Sequence, residues 1–355
     1  MRYKMKKKKW MKLFPVLLLL VLVGCTGCGS KGENENIEQG MALIEELDYE
    51  GALACFEQAL VSGEDTREVY RGQGIAYMGL TQYDKAIESF GNCFAVSSSI
   101  PNELDYDVNY YLAVAHYKNG ELQKAKEIYD AILDLKPKEK DAYYMRGSIL
   151  LELGNYEEAK LDFDKALELD PENYDQLVAI FQVLDKFGYR EIGHGYLQQA
   201  IDNAPKTISN FDKGRIYFYM EDFEVARNYL EQARDAGDAQ AAYYLGKTWE
   251  ALGEYNYAAS VYNSYIKEQG ESALIYNQLA LCNMQLEDYD AALAAIEAGL
   301  TLEDKSIQQV LYFNQTVIYE YQGDFDKAAS LMAIYKRNYP DDEEAAREYE
   351  FLKTR

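Results

Sequence analysis

The stretch YYMRGSILLELGNYEEAKLDFDKALELDP, running from Tyr143 to Pro171, decides the fold. Gly147 and Ala159 are small residues set early in two apolar-periodic runs, and Phe163 follows Ala159 by four positions. That spacing places Ala159 and Phe163 on one face of a helix, one turn apart. Between the runs stands Gly154-Asn155-Tyr156, a turn in which glycine meets the left-handed backbone at least cost. Pro171 ends the second run, because proline cannot continue the hydrogen-bond ladder. The stretch therefore predicts two antiparallel helices whose backbones approach closely at their small residues, leaving an apolar face for a neighbour to cover.

The same arrangement recurs outward in both directions. Small residues stand at Ala52, Ala86, Ala125, Ala159, Gly193, Ala226, Ala258, Ala292 and Ala328, each with a bulky residue four positions later. Successive separations are 34, 39, 34, 34, 33, 32, 34 and 36 residues. Turn signals such as Gly120-Glu121, Gly253-Glu254-Tyr255 and Gly323-Asp324-Phe325 precede them, and Pro137, Pro205 and Pro340 close further units. This pattern resembles the tetratricopeptide repeat, a helix–turn–helix unit of about 34 residues. The resemblance covers residues 33–340 and implies an all-α, right-handed helical-repeat solenoid of about nine helix pairs. Such arrays gain stability by stacking and need a polar capping element. The tail 341–355, with Ala345, Tyr349 and Leu352 toward one face, reads as that cap. Three departures carry expectations. Gly193-His194-Gly195 predicts a looser fifth pair, Ser97-Ser98-Ser99-Ile100-Pro101 a longer loop, and residues 235–246 look similar to the related Sel1-type repeat.

Ahead of the array lies an export signal. Seven of the first twelve residues are basic, and an apolar run from Leu13 to Val23 follows. That run is short of the ~20 apolar residues that span a bilayer. Leu22-Val23-Gly24-Cys25 resembles a bacterial lipobox, which implies cleavage after residue 24 and acylation of Cys25. Several acyl chains anchor a protein stably to a membrane, here on its extracytoplasmic side. Residues 25–35 read as the lipidated cysteine and a flexible tether, 36–340 as the solenoid.

Composition narrows the function further. The chain has 355 residues, with 60 Asp and Glu against 36 Lys and Arg, a formal net charge of −24. So acidic a surface argues against nucleic acid, whose backbone is bound by Lys and Arg. His116 and His194 are too few for a zinc site, and His116 falls at a core position. Cys55, Cys93 and Cys282 fall within helical units as small core residues, and Cys28 is left over beside Cys25. No phosphate-binding loop, nucleophile elbow or dinucleotide fingerprint is present, so no enzymatic activity, cofactor or metal is expected.

In the family the first helix of each unit lines a concave surface. Projecting the repeat phase onto this chain places Arg71, Tyr110, Tyr117, Lys118 and Tyr144 there, then Phe211, Arg215, Phe218, Tyr219, Tyr243, Lys247, Asn277, Phe313 and Tyr321. Aromatic and Arg side chains dominate binding hot spots. The Lys and Asn arrangement that clamps a peptide carboxylate in some family members is absent at matching positions. The expectation is a membrane-anchored scaffold that holds a peptide or envelope protein in this groove. The alternative is a capture lipoprotein for a soluble peptide or glycan. An extended groove engaged across several units favours the first, a single tight pocket the second.

Overall fold

The computed structural model describes residues 34–96, 102–340 and 342–354. The expected signal segment, Cys25, Cys28 and the loop at 97–101 lie outside them. Among the described residues the regular secondary structure is nineteen α-helices, nine pairs and a final single helix. The pairs are α1 (Glu35–Glu45) with α2 (Tyr49–Ser62), α3 (Thr66–Gly79) with α4 (Tyr83–Ala95), and α5 (Glu103–Lys118) with α6 (Leu122–Leu135). They continue with α7 (Lys140–Glu152) and α8 (Tyr156–Leu169), α9 (Tyr174–Lys186) and α10 (Arg190–Asp202), and α11 (Asn210–Tyr219) and α12 (Phe223–Asp235). The last are α13 (Ala239–Ala251) and α14 (Tyr255–Gln269), α15 (Ala273–Gln285) and α16 (Tyr289–Leu300), then α17 (Gln308–Gln322) and α18 (Phe325–Asn338). The single helix α19 spans Glu343–Leu352. This is a helical-repeat solenoid. α1 begins at Glu35, one residue inside the stretch expected to be tether.

Close approach at the small residues builds each pair. The aromatic ring of Phe163 lies under Gly147, where an added Cβ would stand 2.7 Å from its Cε1. Gly40 meets Phe56 in the same way at 2.7 Å, and Gly74 meets Phe90 and Gly246 meets Tyr262 closer still. Gly193 takes the same role, its position pressed against Phe181 of α9. The rings of Phe56, Phe90, Tyr129, Phe163 and Tyr262 are fully enclosed. Each such ring contributes roughly 1.5–3 kcal/mol of burial.

The turn inside each pair uses a left-handed residue. The positions are Leu47, Thr81, Gly120, Gly154, Gly188, Glu221, Gly253, Glu287 and Gly323. After α7, Gly154 N donates to Leu151 O at 3.0 Å and Asn155 N to Leu150 O at 2.8 Å, closing the helix C-terminus. After α15, Glu287 and Asp288 make the same two bonds at 3.0 and 2.9 Å. The second helix then starts at a polar cap. Asp48, Asp222, Asp288 and Asp324 accept from backbone N–H groups there, and Asp65, Asp238 and Asp342 do so at the helices that open a pair or end the array. Part of the acidic composition is thus helix capping.

The chain divides into two compact units, one ending at Gly193 and the other beginning at His194. In the first, a core of Phe56, Val69, Phe90, Cys93 and Val108 is followed by one around Tyr129, Ile132 and Ile149. In the second, a core runs from Phe211 to Ile318 and a smaller one joins Met332, Tyr335, Ala345 and Leu352. Among the described residues no helix is long and apolar enough to cross a membrane.

Candidate protein-interaction site

In the first unit, much of the projected groove chemistry is spent between neighbouring repeats. Arg71 of α3 pairs with Asp107 of α5 and sits 5.8 Å from the ring centre of Tyr111. Arg67 binds Asp105 at 2.5 Å in the same interface. Tyr110 packs edge-on against Tyr129 with centroids 6.0 Å apart, and burial pushes its phenol pKa far up. Tyr117 donates to Glu152 at 2.7 Å, with the Lys118 ammonium 5.9 Å from its ring centre. Burial, reinforced by Lys186, lowers the pKa of Lys118. Arg71, Tyr110, Tyr117 and Lys118 keep partial exposure, whereas Tyr144 is buried against Phe163.

The second unit holds the denser constellation. Phe211, Phe218, Tyr219, Tyr243 and Tyr244 form a continuous set of edge-to-face rings, with centroids 5.3 to 6.1 Å apart. Arg215 lies 5.0 Å from the Phe211 ring centre and binds Asp212 at 3.1 Å. Asn277 accepts from Asn314 at 2.7 Å, Phe313 packs edge-on against Tyr335 at 5.7 Å, and Tyr321 stacks on Tyr289 at 6.2 Å. Tyr144, Phe211, Arg215, Tyr243 and Asn277 are each under 9% exposed, so they form the floor of the face rather than its contact surface. The projection placed them in the groove; the structure buries them instead, Tyr144 against Phe163 of its own pair, Phe211 and Asn277 against Tyr244 and Asn314 of the next, and Arg215 beside Phe211 and Asp212 of its own helix. Phe218, Tyr219, Lys247 and Phe313 are half-buried, and Tyr321 is 64% exposed.

A cavity of about 470 Å³ opens beside two of the projected residues, Phe218 and Lys247. Phe223, Glu250, Ala251, Tyr255, Leu281, Cys282 and Gln285 complete its lining. It therefore lies where α11, α13 and α15 end and α12 and α14 begin, and it engages three successive pairs. Glu250 organises its floor. Its Oε2 accepts from Lys247 at 2.7 Å, and its Oε1 accepts from the Tyr262 hydroxyl at 2.6 Å and lies 3.8 Å from the Cys282 thiol. Burial, with Glu250 beside it, pushes the Cys282 thiol up to about 12, so it stays neutral. A protonated thiol is a poor nucleophile. The arrangement suits shape recognition of an apolar group flanked by polar contacts.

The sequence projection missed Phe223, Glu250, Tyr255, Leu281, Cys282 and Gln285. A signal existed for two of them. Glu250 follows Lys247 by three positions, which sets it on the same face, and Tyr255 belongs to the turn Gly253-Glu254-Tyr255. His116 is buried as expected and shares Glu121 with Lys124, at 2.5 and 2.7 Å. Cys93 and Cys282 are buried, and Cys55 is half-buried. Among the described residues no group of three His, Cys, Asp or Glu side chains is placed to hold a metal ion.

Models of the tetratricopeptide repeat match residues 37–93 and 211–273, 141–173, 273–306 and 311–342, and the Fis1 C-terminal tetratricopeptide repeat matches 106–149. The chain carries tetratricopeptide repeats across both units. Among curated relatives, BBSome complex member BBS4 of Bos taurus is 23% identical over 282 residues, covering 78% of this chain and 52% of that protein. Stress-induced-phosphoprotein 1 of Caenorhabditis elegans is 23% identical over 199 residues, 56% of this chain and 62% of that protein. The chain thus spans between half and two thirds of the length of these two relatives. A tetratricopeptide repeat protein from Parabacteroides merdae is a structural neighbour, 15% identical with a TM-score of 0.44, covering 69% of this chain and 97% of that one.

Proposed function

We propose that this protein is a non-catalytic interaction scaffold, anchored through acylated Cys25 to the extracytoplasmic face of a bacterial membrane. The second unit holds an extended segment of a partner protein, seating one bulky apolar side chain in the cavity beside Phe218 and Lys247. The observation that carries this reading is the cavity itself, open at the side and lined from three successive repeats. Tetratricopeptide repeats on both sides of it support a protein partner. The net charge of −24 favours basic residues flanking the seated side chain. The anchor reading rests on the basic n-region, the short apolar run and Leu22-Val23-Gly24-Cys25. The Sel1-like character of residues 235–246 is a subfamily reading of the same helices.

The test is affinity capture from envelope extract with the wild type beside Leu281→Arg, which places a charge in the cavity mouth without emptying the core. A protein retained by the wild type and lost with Leu281→Arg, more weakly bound as salt rises, is the expected result. Equal capture by both overturns the cavity as the site. The anchor is read separately, by metabolic labelling with an alkyne fatty acid. Wild type takes up label and Cys25→Ala does not; labelling of both overturns the assignment to Cys25.

A further inference from the structure

A second cavity, of about 260 Å³, lies where α10 gives way to α11 and α12. It shares no lining residue with the cavity beside Phe218. Ile201 and Ile208 belong to its apolar wall; Lys206, Lys213, Tyr217 and Tyr229 are its polar side chains. The local fold holds these in place. Lys206 follows Pro205 in a tight turn, closed by Ile208 N donating to Pro205 O at 3.1 Å, and Ile208 is itself buried. Lys213 and Tyr217 stand one turn apart on α11, and both meet Tyr229 of α12. The two phenol rings stack nearly parallel with centroids 5.7 Å apart, and the Lys213 ammonium lies 5.3 Å from the Tyr229 ring centre. The chain has 60 Asp and Glu, yet none of the described residues lining this cavity is acidic. The acids nearby are engaged elsewhere. Asp212 accepts from Ser209 at 2.6 Å and pairs with Arg215 at 3.1 Å, Asp202 accepts from Gln198 at 2.9 Å, and Asp222 caps α12. Among the described residues neither lysine has an ion-pair partner, and neither phenol hydroxyl has a hydrogen bond.

We propose that this cavity binds a small soluble phosphate monoester, with Lys206 and Lys213 facing its phosphoryl group and the hydroxyls of Tyr217 and Tyr229 donating to its oxygens. Charge supports the monoester. Two ammonium groups balance a phosphoryl group that carries about −1.5 to −2 near neutral pH. Shape supports phosphate over carboxylate. The arginine fork matches a planar carboxylate, whereas lysine meets a phosphate as a point charge, and no arginine lines the cavity. Burial, with Tyr229 beside it, raises the Tyr217 phenol pKa, so its hydroxyl stays a donor. Size limits the rest of the ligand. The cavity is below the roughly 300–1,000 Å³ that encloses a drug-sized molecule, so it takes a phosphoryl group and a short carbon body. The net charge of −24 disfavours approach of a nucleic acid or an anionic lipid surface.

The test is calorimetric titration of the full chain, in a phosphate-free maltoside detergent at about pH 7.5, with glycerol 3-phosphate. Saturable one-site binding is expected, weakened about tenfold or more in Lys206→Gln and in Lys213→Gln, as loss of a charge-assisted hydrogen bond implies. Lys206 is exposed and Lys213 half-buried, so both variants should keep the wild-type helicity and melting profile. Absence of saturable binding by the wild type overturns the proposal, and so does binding that survives unchanged in both variants. Two further titrations of the wild type do not depend on how the variants fold. Glutarate, a dicarboxylate of equal charge, should bind at least tenfold more weakly; equal binding overturns the phosphoryl assignment. Soluble dihexanoyl phosphatidylglycerol, a phosphodiester with one charge, should also bind more weakly. Tighter binding of that lipid overturns the soluble ester and assigns the cavity to a lipid headgroup.

Discussion

Glu287 occupies the left-handed turn position that glycine fills at Gly154, Gly253 and Gly323, with φ of 60° against about 80°. A side chain there costs roughly 1–2 kcal/mol, part of which glycine returns through its larger loss of chain entropy. Glu287→Gly should therefore stabilise the α15–α16 pair by about 0.5–1 kcal/mol, read as slower local amide exchange. The opposite experiment is Phe163→Ala. It empties the space under Gly147 and should cost about 3–5 kcal/mol in chemical denaturation of its unit. The regular spacing of these two features made the fold legible. Left-handed turn residues recur at 47, 81, 120, 154, 188, 221, 253, 287 and 323, matching the spacing of the small residues. Glycine marks only five of those nine turns, so the small–bulky pairs had to carry the phase at Leu47, Thr81, Glu221 and Glu287.

Between elements, the sequence was less legible. Tyr243 and Tyr244 are adjacent, yet both are under 10% exposed: Tyr244 packs edge-on against Phe211 and Tyr219 of the preceding repeat, and Tyr243 reaches Gln278 of the following one. Periodicity tells which face of a helix meets its partner; it does not tell how far the neighbouring repeat overlaps the flanks. Arg146 shows the same limit. It bridges Asp162 of α8 through two bonds of 2.8 and 2.7 Å and Asp130 of α6 at 2.8 Å. Burial raises the Asp162 carboxyl pKa while Arg146 lowers it. Arg146→Ala should leave a buried carboxylate without its cation and cost about 3 kcal/mol in local stability. At the α5–α6 turn, hydrogen bonds from Lys124 and His116 hold Glu121 down at about 2. That contribution is complete above the usual value of 4.5 and is lost as pH falls toward about 2. A carboxyl titration should place the Glu121 midpoint near 2 and show it rise in Lys124→Ala.

At the scale of the whole molecule, the two compact units each bury a thiol, Cys93 before Gly193 and Cys282 after it. In a linear repeat array each unit opens through nearest-neighbour contacts, so the two need not open together. Burial raises the pKa of both thiols, which keeps them unreactive until their surroundings open. A thiol reagent in urea should label Cys93 and Cys282 at separate rates if the units open independently, and at one shared rate if they open as one. The buried sulfurs thus act as two clocks, one in each half of the chain. In the extracytoplasmic location proposed above they would also register damage: an opening long enough to admit an oxidant would leave a lasting chemical mark on the half that opened.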